Sequence, residues 1–382
     1  MNDTFEDIRP YIDDEVDAAL NRLMREPAAV QLCQYLFPDW TSEELIRVAR
    51  NTHTVHDLQR NFSYKAIRGI IDRTTTGFTA EGFDTLSPED GGNLFISNHR
   101  DIILDSAILN VVLVDHGLET AETGTGDNLF LSQVITDLLK LNRSFVISRP
   151  TQPREMYKVS QRISSYVATR REQRNSIWIA QRSGRTKNGI DRTGTGLLKM
   201  LAMAGDDFVE HFQKLNLRTL AISYEYDPCD ELKAQELFYK AAGGEYSHRR
   251  KDDFKAMLKG VTSQKGRANF SLAPAFSLET LESMAAIQDK NERFRVFRSH
   301  VDRKIVEAYR LYPVHFIAAD WQREEQRYAG MYSEDERSGF QDYIETKVAM
   351  LEGDSKALTQ HMLDIYAGPV KSKEEFNLVH SA

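Results

Sequence analysis

The chain has 382 residues, 41% of them hydrophobic and 28% charged, a balance typical of a globular protein with a sizeable core. Its two cysteines, Cys33 and Cys229, lie far apart with no cluster of metal ligands near either, so we expect neither a disulfide framework nor a metal site, and a cytoplasmic location. The formal net charge of -8 argues against general nucleic-acid binding.

Residues 1–85 are expected to form a helical N-terminal segment, in which Thr41 and Glu44 make a possible capping box. The start of the chain is acidic and lacks the basic residues and apolar run of a signal peptide. No stretch approaches the roughly 18 unbroken apolar residues of a membrane-spanning helix. We therefore expect a chain that neither spans a membrane nor is secreted by the usual route.

Residues 86–320 alternate between short apolar runs and longer helical patterns. The runs that suit buried strands are NLFIS at 93–97, RSFVIS at 143–148, SIWIA at 176–180 and RTLAISYEY at 218–226, with a further possible strand at ANFSLAPAF. Between them, DIILDSAILNVVLVDHG, REMYKVSQRISSYVATRREQ and TGLLKMLAMAGDDFVEHFQKL are each long enough for a helix. This alternation predicts an open α/β sheet whose ligands bind at the carboxyl ends of the strands, followed by a helical C-terminal extension at 321–382.

Positive charge is concentrated in one part of the chain. Residues 140–200 hold fourteen Lys and Arg but only three Asp and Glu. Such a tract attracts phosphate groups or an anionic membrane surface, although a solvated face with counter-charges elsewhere is the simpler alternative. Within it, the basic helix at 154–174 carries Met156, Tyr157, Ile163 and Tyr166, which either lie on anionic lipid or face the core.

The segment FISNHRDIILDSAILN places Asn98 and His99 directly after a predicted strand and before an apolar helix. A histidine at this edge can accept the proton of an attacking hydroxyl, and a carboxylate on its second ring nitrogen would fix the tautomer. Asp101 and Asp105 are the nearby candidates. The alternative is structural, with Asp101 capping the helix and His99 hydrogen-bonded in a turn.

This segment resembles the first motif of the glycerolphosphate acyltransferase family, which includes glycerol-3-phosphate and lysophosphatidic acid acyltransferases and carries NHxxxxD. Here five residues separate His99 from Asp105, and Leu104 stands where the family has aspartate. The spacing is similar to an NHRDxxLD variant of a longer bacterial branch, so Asp105 is the favoured partner and Asp101 the alternative. Six residues along a helix turn a side chain by about 240°, so the pairing requires His99 to precede the helix.

Three further motifs follow in the family's order, and the last of them, ISYEYDP at 222–228, resembles the fourth block, an apolar strand that ends in a proline. RSFVISR ends in Arg149 and resembles the second block, whose arginine binds the acceptor phosphate, a role that suits the forked guanidinium. AQRSGRTKNG resembles the third block, FPEGTRS, with Gly184, Arg185 and Thr186 at its Gly, Arg and hydroxyl positions. The glutamate of that block has no counterpart, because Ser183, or Gln181 in another register, stands in its place.

The resemblance covers residues 85–320 and implies an O-acyltransferase. It implies acyl-CoA or acyl carrier protein as the donor, and a hydroxyl of a glycerol phosphate or lysophospholipid as the acceptor. His99 would be the general base, Arg149 and Arg185 would hold the acceptor, and no metal or cofactor would be needed. A peripheral position on the inner face of the membrane is compatible with this activity.

Two other functions were weighed. The tripeptide HRD at 99–101 resembles a kinase catalytic loop, but Ser106 replaces the expected asparagine and no glycine-rich phosphate loop precedes it. The missing glutamate and the altered His-to-Asp spacing leave open a catalytically weakened or silent lipid-binding protein of the same fold, or an acyltransferase for a non-glycerol lysolipid.

Overall fold

The structure is a computed structural model that describes residues 5–243 and 250–379, so the first four residues of the predicted N-terminal segment lie outside it. The strands among the described residues are β1 (Gly77–Glu81), β2 (Leu94–Ser97), β3 (Glu122–Gly126), β4 (Ser144–Ile147), β5 (Ile177–Ala180), β6 (Leu217–Tyr224) and β7 (Arg267–Leu272). The helices are α1 (Asp13–Leu23), α2 (Pro27–Leu36), α3 (Ser42–Arg50), α4 (Val55–Leu58), α5 (Tyr64–Thr74), α6 (Leu104–Asp115), α7 (Gln133–Leu141), α8 (Pro153–Glu172), α9 (Thr195–Leu201), α10 (Phe208–Leu215), α11 (Asp230–Ala241), α12 (Arg250–Thr262), α13 (Leu278–Ala285), α14 (Lys290–Ala308), α15 (Pro313–Arg323), α16 (Glu334–Ala349) and α17 (Ser355–Glu375).

The seven strands form one sheet in the order β1-β7-β6-β2-β5-β3-β4. The five strands from β6 to β4 are parallel to their neighbours, whereas β7 runs antiparallel to β6 and parallel to β1. The carboxyl ends of β2, β4, β5 and β6 therefore meet at one edge, which we call the carboxyl edge. The predicted α/β sheet with flanking helices is confirmed.

Helices cover both faces of the sheet, which explains why the central strands are continuous apolar runs. In β2, Leu94 and Ile96 face a core built with α8, α9, α10 and α14, while Phe95 between them faces a second core with α5 and α6. Successive side chains of a strand point to opposite faces, so a strand buried on both sides is mostly apolar on both faces. The sequence becomes polar at Ser97, the last residue of β2, and at Asn98 after it, and both side chains are buried.

The N-terminal helical segment is shorter than expected. Its helices end at Thr74, and residues 77–81 form strand β1 at the sheet edge instead of helix. Exposed and half-buried residues alternate along this strand, because it is covered on one side only. Between α4 and α5 lies a π-helical turn, Gln59–Ser63, whose Phe62 packs edge-on against Phe37.

The single helix expected for TGLLKMLAMAGDDFVEHFQKL is two helices, α9 and α10. Asp207 caps the second one by accepting a hydrogen bond from the backbone N–H of Glu210, and Gly205 lies in the break. A helix-breaking glycine and a strong N-cap residue in sequence explain the interruption.

The predicted C-terminal extension is helical, as expected, and it forms a third core with elements of the preceding region. Helices α15, α16 and α17 share an apolar cluster with α11, including Phe316, Phe340 and Tyr366. Helix α17 also contacts the loop after β5. A Cβ atom on Gly189 would lie 2.1 Å from the carbonyl oxygen of Ile365, so the contact depends on the absence of that side chain.

Candidate active site

His99 lies in the loop between β2 and α6, at the carboxyl edge of the sheet. Its ring is largely buried, with 13% of the side chain exposed, and meets the Trp178 ring edge-on at 5.6 Å. Because α6 begins only at Leu104, His99 precedes the helix, which is the geometric condition required for pairing with Asp105.

The Asp105 carboxylate lies against the imidazole of His99, with Oδ2 2.8 Å from Nδ1. The same oxygen accepts hydrogen bonds from the backbone N–H groups of Arg100 at 2.6 Å and Asp101 at 3.0 Å. Side chains in the first turn of a helix lean towards its N-terminus, so Asp105 reaches back over the loop. The carboxylate places the proton on Nδ1 and leaves Nε2, for which no hydrogen bond is found among the described residues, as the acceptor.

Asp101 does not contact His99 and instead begins the helix. Its Oδ1 accepts hydrogen bonds from the backbone N–H groups of Ile103 at 2.9 Å and Leu104 at 2.7 Å. This is the capping arrangement weighed as the structural alternative for this residue. Complete burial raises the pKa of Asp101 above its ordinary value, with a further contribution from the nearby Asp105 carboxylate.

The loop after β5 is joined to the His99 loop by a buried polar network. The backbone N–H of Thr186 donates to the carbonyl oxygen of His99 at 2.9 Å, and its hydroxyl donates to Asp191 at 2.6 Å. Asp191 also forms a buried ion pair with Arg100 at 2.6 Å and accepts a hydrogen bond from the Asn98 amide at 3.3 Å. The two motifs identified in the sequence are therefore held in one rigid unit.

Arg185 stands next to this unit with an unused donor. It is half-buried, and its buried Nη1 atom has no hydrogen-bond partner among the described residues. Gly184, before it, adopts a left-handed φ of 74° in open space, so the turn is one that glycine favours. A buried guanidinium nitrogen without a partner is costly, and an anionic ligand would satisfy it.

The two residues that occupy the place of the missing glutamate differ in environment. Ser183 is exposed on the loop, whereas Gln181 is completely buried and its Nε2 atom has no partner among the described residues. Its Oε1 accepts a long hydrogen bond from the hydroxyl of Thr193, at 3.4 Å.

Arg149 is separated from His99. It follows β4, which is three strands away from β2 in the sheet, or about 14 Å at the usual spacing. Its backbone N–H donates to Asp127 Oδ2 at 3.3 Å, and its exposed guanidinium lies over Gly126. The structure thus brings together His99, Asp105, Arg185 and Thr186, with Arg149 at the far end of the same edge.

Burial shifts the pKa values of other ionisable groups around the His99–Asp105 pair. It raises the pKa of Cys229 to about 12, so the thiol stays neutral and is a poor nucleophile. It also raises the pKa of Tyr224 well above its ordinary value, so the hydroxyl remains a donor to Asp105 Oδ1, at 3.3 Å. Lys187, paired with Glu236 at 2.7 Å, has a pKa lowered by burial to about 8.

An apolar cavity of about 300 Å³ begins beside the His–Asp pair. Ile102, Ile103 and Ser106, the immediate neighbours of Asp101 and Asp105, line it from the loop and from α6. The opposite walls are side chains of α1–α5 and of the π-helical turn, among them Leu23 and Phe62. The N-terminal helices therefore enclose a ligand-sized apolar space that adjoins the candidate active site.

Several of these features were not identified from the sequence. Arg100 lies within the motif NHRD and Asp191 lies two residues after AQRSGRTKNG, but only the fold shows that they pair. Tyr224 belongs to an apolar strand, and nothing in the sequence indicates that its hydroxyl contacts Asp105. The cavity draws its walls from eight helices, α1 to α7 and α12, and from connecting segments, so no local pattern predicts it.

The structure thus defines an α/β protein with a His–Asp pair at the carboxyl edge of its sheet. No protein-family model matches the chain, and no curated protein matches it. Among solved structures, the chain is similar to the crystal structure of the 1-acyl-sn-glycerophosphate (LPA) acyltransferase PlsC from Thermotoga maritima, at 12% identity over 76% of this chain and 94% of that chain, with a TM-score of 0.38. Because the likeness is this distant, the case for function rests on the site.

Residues 5–243 and 250–379 hold no group of three or more His, Cys, Asp and Glu side chains arranged to bind a metal ion. Over the same ranges, no helix has both the length and the apolar character needed to cross a bilayer.

Proposed function

We propose that this protein is an O-acyltransferase that transfers a fatty acyl group from acyl-CoA or acyl carrier protein to a hydroxyl of a glycerol phosphate or lysophospholipid. The observation that carries the proposal is the contact of His99 Nδ1 with Asp105 Oδ2 at 2.8 Å, next to an apolar cavity whose lining includes Ile102 and Ser106. A base and a space for an acyl chain are the two parts that such a reaction needs.

His99 acts as the general base through Nε2. It removes the proton of the acceptor hydroxyl, and the oxygen attacks the carbonyl carbon of the thioester. The C–S bond then breaks, the thiolate takes the proton from the imidazolium, and ester and thiol leave. Asp105 stabilises the imidazolium and holds its tautomer, as the carboxylate of a catalytic triad does. A neutral Cys229 argues against an acyl-enzyme intermediate on that thiol.

The cavity supports a long apolar chain as one substrate. Its volume of about 300 Å³ is within the range of small-molecule sites, and its walls are mainly Leu, Ile, Val and Phe. Burial of each methylene contributes about 0.8 kcal/mol, so such a space favours chains of several carbons over acetyl groups. Ser106, the neighbour of Asp105, lines the cavity, so we propose that a chain inside it presents its thioester to His99.

Arg185 supports an anionic acceptor. Its buried Nη1 has no partner among the described residues, and Thr186 ties the same loop to the carbonyl of His99. A phosphate bound there would position the acceptor hydroxyl near the base, which converts binding energy into orientation. Arg149, about three strand spacings away, would contact a different part of the ligand or of its surroundings.

The test measures thiol release from a long-chain acyl thioester by the purified protein with a panel of acceptors, with and without a phosphate group. His99→Ala should abolish acceptor-dependent release, while His53→Ala, an exposed histidine paired with Asp17, should behave like the parent protein. Arg185→Gln should raise KM for phosphorylated acceptors by about tenfold or more and change kcat less. Product identification then names the acceptor.

The alternative is a catalytically silent lipid-binding protein of the same fold, favoured by the absence of the glutamate of the FPEGTRS motif. Ser183 and Gln181 supply no carboxylate at that place. A protein that binds long acyl chains but releases no thiol with any acceptor, from either donor, would establish this alternative and refute the transferase.

A further inference from the structure

The carboxyl edge of the sheet carries apolar side chains that the fold leaves in solvent. Residues 153–158, the first residues of α8, are all exposed, and Met156 and Tyr157 among them are 52% and 61% accessible. Further along the helix, Ile163 and Tyr166 are buried in the core. The apolar side chains of this basic helix are therefore divided between the core and the solvent.

A second exposed pair lies on α12, which crosses the same edge. Phe254 and Leu258 are 54% and 53% accessible and occupy the i and i+4 positions of one helical face. The helix is fixed to the edge from within, because Gly260 approaches the Asp101 carboxylate so closely that a Cβ atom would lie 1.9 Å from Oδ2. Its outer face thus sits above the candidate active site.

The turn that follows β3 connects these two pairs. Asn128 donates a hydrogen bond to Asp253 of α12 at 3.2 Å, and the neighbouring Asp127 accepts one from the backbone of Arg149 at 3.3 Å. The exposed face of α12, this turn and the start of α8 are consecutive along the edge. We call this region the edge surface and define it by its exposed apolar and basic members: Met156, Tyr157, Phe254, Leu258, Arg149 and Arg154.

The unpaired positive charges of the basic tract gather at the same place. Most of the fourteen Lys and Arg side chains in residues 140–200 bind carboxylates or carbonyls elsewhere, for example Arg170 with Glu122 and Arg192 with Glu375. Within residues 5–243 and 250–379, those without a side-chain hydrogen bond or ion pair follow β4 or β5 at the carboxyl edge: Arg149, Arg154, Lys158, Arg182 and Arg185.

The carboxylates on the edge surface only partly offset these cations. Asp127 and Asp253 already accept hydrogen bonds from N–H donors, and Glu155 is exposed beside Arg154. Large apolar side chains interspersed with free cations are the combination that an anionic membrane surface binds, the former entering the acyl layer and the latter meeting the headgroups.

We propose that the edge surface docks onto an anionic phospholipid membrane. The same segments border the apolar cavity, because Leu129 of the turn and Val261 of α12 line it. A lipid chain that moves from the bilayer into the cavity would cross this surface without passing through water. This route to the cavity rests on the proposed acyltransferase function, whereas the docking itself does not.

Flotation with vesicles tests the docking directly. The full-length protein is mixed with vesicles of phosphatidylcholine alone or of equal parts phosphatidylcholine and phosphatidylglycerol, and the fraction that floats is measured at low and high salt. We expect at least about tenfold stronger binding to the anionic vesicles, weakened by salt. The paired substitutions Met156→Asp with Tyr157→Asp, and Phe254→Asp with Leu258→Asp, should each reduce binding by about tenfold or more.

Met350→Asp provides the matched control, because this methionine is 72% exposed but lies between α16 and α17, away from the edge. It should float like the parent protein, and thermal unfolding should show all variants folded. Equal flotation of every variant, or no flotation of the parent, overturns the proposal. A third result would also overturn it. In that case the parent protein binds an acidic acyl carrier protein but no vesicles, and the edge variants lose the binding to the carrier protein. None of these outcomes depends on turnover, so they stay distinct from failure of the proposed function.

Discussion

The guanidinium of Arg100 donates to the carboxylate of Asp191 over 2.6 Å, and both side chains are almost fully buried. Arg100 directly follows His99, and Asp191 ends the loop that holds Arg185 and Thr186. Asp191 also accepts hydrogen bonds from Asn98 and Thr186. One carboxylate thus links the His99 loop to the loop that carries Arg185 and Thr186.

Replacing Asp191 with alanine should destabilise the protein strongly. The substitution leaves the Arg100 charge buried without its partner, which typically costs about 3–5 kcal/mol. Urea unfolding measures the loss, and Glu307→Gln, which removes an exposed i,i+4 partner of Arg303, is the control that should change little. A loss for Asp191→Ala as small as that of the control would show that the pair does not hold the two loops.

Substitution of the two aspartates by asparagine should separate their roles. Asp105→Asn removes the charge that supports the imidazolium, so we expect kcat to fall by about 10²–10⁴. Asp101→Asn keeps an oxygen that can cap α6, so kcat and stability should change much less. Steady-state kinetics with thermal unfolding of both variants decide the matter. The reverse order of effects on kcat would assign the partnership with His99 to Asp101.

The length of the acyl chain should depend on the cavity wall. Ala107 lines the cavity on α6, so Ala107→Phe should lower kcat/KM for long-chain thioesters by about tenfold or more while short chains lose little. Ile67→Ala enlarges the same space and should shift the preference towards longer chains. Ala286→Phe, on an exposed turn after α13, is the matched control. An unchanged chain-length profile in both cavity variants would place the acyl chain elsewhere.

Lys265 should make stability depend on pH in a particular direction. Its side chain is fully buried, donates to Thr74 Oγ1 at 3.1 Å and to the carbonyl of Ser263 at 2.5 Å, and forms no ion pair among the described residues. Burial lowers its pKa to about 8, below the value of about 10.4 expected in the unfolded chain.

Below pH 8 both states carry the charge, and the folded state bears the desolvation cost. Between these two pKa values the folded state releases the proton first, so stability rises with pH. The free energy of unfolding of Lys265→Met relative to the parent protein should therefore fall between pH 7 and pH 10, by up to about 3 kcal/mol. Lys356→Met, at an exposed position, should show no such trend. A flat difference for Lys265→Met would mean that the ammonium group is solvated.

The strands that the sequence predicts are those whose own residues are apolar. The runs NLFIS, RSFVIS, SIWIA and RTLAISYEY coincide with β2, β4, β5 and β6 to within two residues at each end, and ANFSLAPAF contains most of β7. Strand β3 was not predicted, because its sequence ETGTG holds no large apolar residue and its burial comes from the strands on either side. Local pattern thus predicts a strand only when the side chains of that strand form the core.

The residues of the candidate site likewise divide into those that the local sequence predicts and those whose positions depend on the sheet topology. The order of residues after β2 was enough to select His99 and to state when Asp105 could reach it, since both depend on where one helix begins. The separation of Arg149 from that pair depends on strand order, which places β5 and β3 between β2 and β4 although β3 and β4 precede β5 in sequence. Pairings that depend on the sheet's topology, such as Arg100 with Asp191, have no local signal.

The contact between α17 and the loop after β5 also bears on how relatives of this protein are recognised. The carbonyl of Ile365 lies where a side chain on Gly189 would be, and a Cβ on Gly368 would lie 2.4 Å from the carbonyl of Asn188. The two backbones can therefore approach this closely only because both residues are glycine. A homologue that lost its last helix, or gained a side chain at either glycine, would keep every motif residue from His99 to Thr186. It would nevertheless lose the contact between α17 and the loop that carries Arg185. Two distant glycines are therefore as informative as the motifs in deciding which homologues retain a working loop.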